Sequence, residues 1–284
     1  MKKALVLAIG LVMLSAVNAF CVDIDAMMPV LKDAKDGIRA NLVSLDNDLS
    51  AAAEQIAKLD FKSPQARQIL SSLGKDRNYV IDCSIIDVSG KMVVVEPAEY
   101  AKYEGSDVSK QPEVIALQRD KKPMLSNIAH SVEGIDAVLF QYPMFSADKE
   151  FIGSLSVLIK QDALCANVVE PLVADIPCKI WIMQKNGQIV YDPDSNQIGR
   201  NIFLDEMYKS FPALVSFSRT VSLSESGAGS YKFYTKGFND TTIVEKYTAW
   251  DTVSLYGIQW RVIVMEAQAA APAKAEDKES PPKK

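Results

Sequence analysis

The 284-residue sequence is short of the side chains that most catalytic and metal sites require. It contains a single histidine, His130, and only four cysteines. A histidine-rich metal centre is therefore excluded, and a His-dependent catalytic triad could use only this one imidazole. The sequence also has no Gly-x-Ser-x-Gly, glycine-rich phosphate-binding or Cys-x-x-Cys motif. We therefore expect a protein that is not an enzyme and that needs no cofactor.

Excess positive charge and long apolar stretches are lacking as well. The chain has 31 Lys and Arg residues against 36 Asp and Glu residues, a formal net charge of -5, and no long basic block. Nucleic acid is therefore excluded as a partner, because phosphate binding needs a concentrated positive patch. Beyond the N-terminal region no segment reaches the roughly 20 apolar residues that span a membrane.

Both ends of the chain have the composition of segments outside a folded core. Lys2 and Lys3 precede an apolar run, and small residues around position 19 form a signal peptidase site. We predict a leader over residues 1–19, cleaved after Ala19, and a periplasmic or extracellular protein. Phe20 disfavours lipidation of Cys21. Residues 267–284 have no apolar side chain larger than alanine and are predicted to be a disordered tail.

A long helix is predicted between residues 24 and 59, where apolar residues recur at spacings of three and four over five heptads, with Lys35 as the break. Pro29 indicates that the regular part begins near that residue. The narrow apolar seam either packs on the protein's own modules or forms a homodimer. A second, shorter helix is predicted with Ser63 as its N-cap, Pro64 at its first position and Gly74 just past its end.

Two β-rich segments repeat one pattern about 97 residues apart. The first hairpin covers residues 84–95 around a Ser-Gly turn, and the second covers residues 180–191 around an Asn-Gly turn. Each is followed by a glycine and then by Asp or Asn and an aliphatic residue, and each copy closes with further strands. The repeat predicts an α+β fold made of two similar modules.

This arrangement resembles the double Cache family of extracytoplasmic sensor domains, in which a long N-terminal helix precedes two PAS-like modules. The matching segments include IIDVSGKMVVVEPAEYAKYEGSDVS in the first module and IWIMQKNGQIVYDPDSNQIGRNIF in the second. The resemblance implies two antiparallel sheets flanked by helices. The predicted divisions are helices over 22–75, a ligand-binding Cache module over 76–160, a connecting helix over 161–177, and a second Cache module over 178–266.

The same resemblance implies a small-molecule site in the first module. Aromatic walls and a few polar groups make up the expected site: Tyr103, Asp107, Met124, Asn127, His130, Phe140, Tyr142 and Phe145. Phe140 and Tyr142 share a strand face that is either the pocket or the core. Arg119 is the only arginine between residues 100 and 159, so a carboxylate ligand lacks an obvious partner. We expect a neutral or cationic ligand.

Two further motifs could bind a metal or form a disulfide. Cys165 and Cys178 flank the connecting helix and could form a disulfide, with free thiols as the alternative. Residues 192–196 open like a calcium-binding loop, but Gln197 and Phe203 occupy positions where such loops have Gly and Glu. We expect no metal there, and a turn that shapes the mouth of the second module.

These observations together predict an exported, soluble sensory protein, related to chemotaxis and signal transduction, that binds a small molecule in its first module. Because no transmembrane, HAMP or kinase segment follows the second module, occupancy would be relayed to a membrane receptor, sensor kinase or transporter. The alternative is a ligand-free interaction or scaffold protein that acts through its long helix. A secreted hydrolase using His130 is a distant third.

Overall fold

The computed structural model describes residues 24–268. The predicted leader, Cys21 and residues 269–284 of the predicted tail lie outside the described residues. Ala267 ends the last strand, and the Gln268 N–H donates to the carbonyl of Glu245 at 2.8 Å, so the fold extends two residues into the predicted tail. Within this part of the chain no helix is long and apolar enough to cross a membrane.

The first element is helix α1, Ile24–Ile56, which has 33 residues. It begins at Ile24 rather than near Pro29 as predicted. Proline removes one backbone donor, a loss that a long helix with a packed apolar face tolerates. Most of the predicted seam is buried, but Met28 is 46% exposed and Met27 takes its place, because the start of α1 turns a different face to the core. The buried side chains of α1 are Met27, Leu31, Ala34, Ile38, Leu42, Leu45, Leu49, Ala52, Ala53 and Ile56.

Module one is built on an antiparallel sheet. Its elements are α2 (Pro64–Gly74), β1 (Val80–Asp87), β2 (Met92–Glu96), α3 (Pro112–Asp120), β3 (Met124–Leu125), β4 (Ala129–His130), β5 (Asp136–Phe145) and β6 (Phe151–Ile159). The strand order is β2-β1-β6-β5-β3, and β4 pairs with β5. The Ser63 hydroxyl caps α2 by accepting a hydrogen bond from the Ala66 N–H at 3.2 Å, as the Ser-Pro start predicted.

Module two repeats this plan after a connecting helix. Its elements are α4 (Gln161–Val173), β7 (Lys179–Gln184), β8 (Ile189–Tyr191), α5 (Pro212–Leu223), β9 (Gly227–Tyr234), β10 (Ile243–Leu255) and β11 (Ile258–Ala267). The strand order β8-β7-β11-β10-β9 is that of module one, which confirms the predicted duplication. The Asn-Gly turn joins β7 to β8, where Gly187 has a φ of 87°.

The apolar seam of α1 packs inside the chain. The helix contacts β5 and β6 of module one, β10 and β11 of module two, and α2 and α4. Lys35, the heptad break, forms a salt bridge from its Nζ to Asp251 Oδ2 at 2.6 Å. A Cβ at Gly37 would lie 2.6 Å from Val168 Cγ1, so α4 approaches α1 where only glycine fits. Of the two predicted alternatives, the seam therefore packs on the protein's own modules, and it is not available to form a homodimer.

Each sheet packs one face on α1 and turns the other toward a shorter covering layer. In module one the α1 face carries Ile85, Val94, Phe140, Leu155 and Val157. The opposite face carries Ile86, Met92 and Val95, which pack with Val108 and Val114. In module two the covering layer is α5, which packs on an aromatic-rich face. These second faces border the cavities described below.

The predicted disulfide between Cys165 and Cys178 is not formed, because both residues are free thiols in the structure. Cys165 lies in the middle of α4 and is fully buried, whereas Cys178 follows the helix, and its thiol is 3.8 Å from Glu266 Oε2. From Cys165 to the end of α4 the helix rises about 12 Å, well beyond the span of a disulfide. Cys83 is a free, buried thiol as well.

Replacement of Leu42 and Leu49 by Glu should unfold the monomer, because it places two carboxylates in a core shared by both modules. We expect loss of the cooperative transition in thermal denaturation followed by circular dichroism. The control carries Glu at Ala40 and Asn47, which are exposed on the same helix, and should melt like the parent. A folded but dissociated species of the first variant would contradict the intramolecular packing.

Candidate ligand-binding site

The second face of the module-one sheet borders a cavity of about 180 Å³. Side chains of β1, β5 and β6 form its floor, while the start of α3 and residues 129–133 form its walls. Its polar lining includes Asp82, Ser84, Ser156, Glu113, His130 and Glu133. The volume equals that of roughly six water molecules, so the cavity suits a ligand of few non-hydrogen atoms.

The floor of the cavity is polar because side chains alternate along each strand. On β1, Asp82 and Ser84 face the cavity, while Cys83 and Ile85 join the core on the α1 side. Ser84 lies opposite Ser156, which in turn lies opposite Gln141. The three polar side chains therefore form a row across the sheet. All three are at most 2% exposed, an arrangement that costs free energy unless partners satisfy them.

Several polar atoms around this cavity have no hydrogen-bond partner within residues 24–268. They are Asp82 Oδ2, both side-chain amide atoms of Gln141, and Ser131 Oγ. Ser131 lines the cavity, and Gln141 lies beside Ser156 in the polar row. Because buried polar groups in folded proteins nearly always have a protein or water partner, these atoms mark a site prepared for a polar occupant.

The cavity is acidic. Asp82 is 3% exposed, and its burial, together with the neighbouring carboxylate of Glu133, raises its pKa to about 8. Glu113 adds a third carboxylate to the lining, and in the described part of the chain no lysine or arginine lines the cavity. At this pKa the Asp82 carboxyl holds a proton near neutral pH and interacts with Glu133 through it, whereas a bound cation would favour ionisation of both carboxyls. The electrostatics therefore favour a positively charged ligand over an anion.

Three of the predicted site residues lie in or beside this cavity. His130 lines its edge, where its side chain is 70% exposed and its Nδ1 lies 2.9 Å from Asp136 Oδ1. The Tyr103 hydroxyl donates to the backbone carbonyl of Glu133 at 3.3 Å and so supports the wall. The Asp107 carboxylate accepts a hydrogen bond from the Ser109 N–H at 2.9 Å, which shapes the loop rather than the lining.

The other predicted site residues do not reach the cavity: Met124, Asn127, Phe140, Tyr142 and Phe145. Phe140 is fully buried on the α1 face, where it meets the Tyr256 ring edge-on at 6.0 Å, and Tyr142 packs against the same core. The strand face that Phe140 and Tyr142 share therefore belongs to the core and not to the pocket. Asn127 is exposed, and Phe145 packs against Phe151 at the strand end.

Asp82, Ser84, Ser156 and Glu133 were missed by the sequence analysis, although the first three carry a recognisable signal. β1 reads Val-Ile-Asp-Cys-Ser-Ile-Ile-Asp, with polar residues two apart in an otherwise apolar strand. In β6, Ser154 and Ser156 show the same spacing. A polar residue at alternate positions of a buried strand indicates a polar cavity rather than a core. Glu133 gives no comparable signal, because it lies in a loop.

The loop that opens like a calcium site is a hydrogen-bonded turn. Asp192 Oδ1 accepts the Asp194 N–H at 2.8 Å, and Asp194 Oδ1 accepts the Asn196 N–H at 3.1 Å. Asp192 and Asp194 also line a cavity of module two, the position that the sequence analysis proposed for this turn. Within residues 24–268 no group of three or more His, Cys, Asp or Glu side chains is arranged to hold a metal ion.

The sequence was compared with protein families and with known proteins. Residues 40–161 match the sequence model of the HK/GC/chemotaxis protein-like sensor domain. This match runs from the middle of α1 through module one. No curated protein matches the sequence.

Solved structures share the fold over most of the described chain. An extracellular ligand-binding receptor from Desulfohalobium retbaense has 26% identity and a TM-score of 0.69 over 84% of this chain, which spans 39% of that receptor's length. A Pseudomonas aeruginosa amino acid chemoreceptor domain in complex with GABA has 14% identity and a TM-score of 0.60, with 85% and 98% covered. A Campylobacter jejuni chemoreceptor domain with 4-methylisoleucine has 13% identity and a TM-score of 0.59, with 86% and 90% covered.

The duplicated sheets, the long helix and these likenesses define a tandem PAS-like sensor domain. The relatives are ligand-binding receptor domains rather than enzymes. Residues 40–161 thus match a family of sensor domains, and the described chain has the tandem PAS-like fold that the resemblance to double Cache domains predicted.

Replacement of Asp82 by Asn should stabilise the ligand-free protein increasingly as pH rises. The pKa of Asp82 is about 8 in the fold, against about 4 in an unfolded chain. Between these values the carboxyl ionises in the unfolded chain but stays protonated in the fold, so stability falls as pH rises. Asn never ionises. We expect the Tm of D82N to exceed that of the parent by at least about 2–4 °C near pH 9, with a smaller difference near pH 5.

The control for this measurement is Asp148→Asn, which changes an exposed carboxylate. Its Tm difference from the parent should be small at every pH. A D82N difference that does not grow with pH would show that Asp82 is not held in an unfavourable, buried ionised state.

Proposed function

We propose that this double Cache protein is an exported sensor whose first module binds a small cationic amine and relays occupancy to a membrane signalling or transport partner. One observation carries the choice of ligand: among the described residues Asp82 Oδ2 is buried in the module-one cavity with no hydrogen-bond partner, and its carboxyl lies beside that of Glu133. An ammonium group can donate to both carboxyls and favours their ionised form.

The rest of the cavity supports an amine with a short body. Ser84, Ser131 and Ser156 can accept further ammonium hydrogens, and Leu139 and Leu158 offer apolar contact to a carbon chain. The cavity of about 180 Å³ limits the ligand to a few carbons. Among the described residues no arginine lines the cavity, so a carboxylate would lack the bidentate hydrogen bonds that arginine provides. We therefore propose an amine whose binding does not require a carboxylate.

The similar structures support a sensory role and an extracytoplasmic location. They include chemoreceptor domains in complex with GABA and with 4-methylisoleucine, both of which carry an amine. Their identity to this chain is low, so the amine preference is proposed on the cavity chemistry of this chain. We propose that the described domain acts outside the cytoplasm, after cleavage of the predicted leader at Ala19.

The two other functions considered have less support. A scaffold role through the long helix would have to use its polar outer face, because the seam is buried against the modules. A hydrolase would rest on His130, whose ring forms a hydrogen bond to Asp136 and, among residues 24–268, none to a Ser, Thr or Cys side chain.

Calorimetric titration with three four-carbon compounds should separate ligand classes at module one. Butylamine is a cation, GABA is a zwitterion and butyrate is an anion. We expect butylamine to bind most tightly and D82N to weaken it at least about tenfold, the loss of one charge-assisted hydrogen bond. D148N, the exposed control, should bind like the parent. Undiminished butylamine binding by D82N, or none by the parent, would contradict the amine proposal.

A contact path connects the cavity strand to the long helix. Phe140 lies on β5 beside the cavity residue Leu139 and meets Tyr256 of module two at 6.0 Å. The Tyr256 hydroxyl donates to Asp46 Oδ1 of α1 at 2.7 Å. A shift of β5 on ligand binding can therefore alter how α1 packs on both modules, which is how we propose that occupancy is relayed.

Hydrogen exchange measured with and without butylamine should test this relay. We expect slowed exchange in module one, in the turn around Tyr256 and in the middle of α1. Tyr256→Phe should remove the changes in α1 while leaving butylamine affinity intact, because it deletes only the hydroxyl that bonds to Asp46. Changes confined to module one in the parent protein would contradict this route.

A further inference from the structure

Module two has a cavity of its own, larger than that of module one. It occupies about 340 Å³ between the second face of the sheet and the loop after β8. Its walls are mostly apolar and include Trp181, Ile189, Leu214 and Phe233. Because the two modules share one strand order, each cavity lies over the second face of its own sheet. The chemistry of the two linings is different.

A buried lysine lines the module-two cavity. Lys246 lies on β10 opposite Tyr231 of β9 and is 3% exposed. Among the described residues its Nζ has no hydrogen bond and no carboxylate within salt-bridge distance. Its one close contact of this kind is the face of the Phe233 ring, 5.4 Å from Nζ to the centroid. Burial lowers the pKa of Lys246, and Asp192 only partly opposes this effect, so an anion bound in the cavity would stabilise the ammonium.

Asp192 is the carboxylate whose charge acts on Lys246, although no salt bridge joins the two among the described residues. Asp194 is engaged by the loop between β9 and β10, where it accepts hydrogen bonds from the Phe238 N–H at 2.7 Å and from Asn239 Nδ2 at 3.0 Å. Asp192 Oδ1 accepts from Gln197 Nε2 at 3.1 Å. Burial raises the pKa of Asp192 to about 7, while the nearby charge of Lys246 and the hydrogen bonds from Asp194 and Gln197 oppose the shift, so burial weakens the carboxylate as an ion partner.

The rim of the cavity adds further positive charge. Lys179 and Lys236 both line it, so three lysines face two aspartates whose oxygens are largely engaged in turn hydrogen bonds. The apolar walls have room for several carbons beside the charged end. The site therefore combines a cationic end with a hydrophobic body, the reverse of the acidic module-one cavity.

We propose that module two holds a second ligand site, which takes a small carboxylate with an apolar body and pairs that carboxylate with Lys246. The site does not depend on the amine proposed for module one, because the two cavities lie on different sheets and have opposite charge. The protein would therefore sense two chemical classes, each in one module.

Calorimetric titration of the full chain with butyrate and hexanoate tests this site. We expect both to bind, and hexanoate to bind up to roughly tenfold more tightly because two added CH₂ groups enter the apolar part. Lys246→Met keeps the apolar stem and removes the charge, and should weaken both by at least about tenfold. The matched control is Lys232→Met, which alters an exposed lysine of β9 on the opposite face and should bind like the parent.

A second variant keeps the test decisive if K246M does not fold. Thr235→Trp places a large side chain at the half-exposed mouth of the cavity and should abolish hexanoate binding with β10 unchanged. Hexanoate binding that survives K246M or T235W would overturn the proposal, as would its absence in the parent protein. Loss of hexanoate binding in D82N alone would overturn it too, since that result places the carboxylate in module one. Butylamine binding retained by T235W would show that the two sites are separate.

Discussion

The burial of the α1 seam is the interaction on which the rest of the structure depends. One helix supplies the apolar layer for the inner faces of two sheets, so neither module has a complete core without it. The spacing of Leu31, Ile38, Leu45 and Leu49 gives a stripe narrow enough to lie between the modules. Lys35 breaks the stripe and pairs with Asp251, which fixes the helix against module two through a half-buried ion pair.

Because α1 covers one face of each sheet, the opposite faces are free to carry polar residues. On β1 the same strand that sends Cys83 and Ile85 into the core sends Asp82 and Ser84 to the cavity. In module two the corresponding face has Lys246 beside Trp181 and Phe233. The duplicated fold thus provides a cavity on the second face of each sheet, and a few charged residues give the two linings different chemistry.

Much of the fold could be predicted from the sequence, whereas most of the site could not. Heptad spacing located α1 and the Asn-Gly turn located the β7–β8 hairpin, because both signals depend on residues near one another in the chain. Of the predicted site residues only His130 lines the cavity. The aromatics Phe140 and Tyr142 were chosen for their chemistry, yet they lie on the face that α1 covers. The alternation showed that they share a face but not which face it is.

The sequence by itself determined the duplication, the long helix and the scarcity of catalytic groups, since each depends on composition or local periodicity, and its resemblance to double Cache domains implied the tandem PAS-like architecture. Only the tertiary structure decided that the seam is internal, that Cys165 and Cys178 stay apart, and that Asp82 meets Glu133. The physical reason is that burial and charge pairing arise between residues distant in sequence. Asp82 and Lys246 are ordinary charged residues in the chain, and only the folded sheets place each of them, nearly buried, in the lining of a cavity.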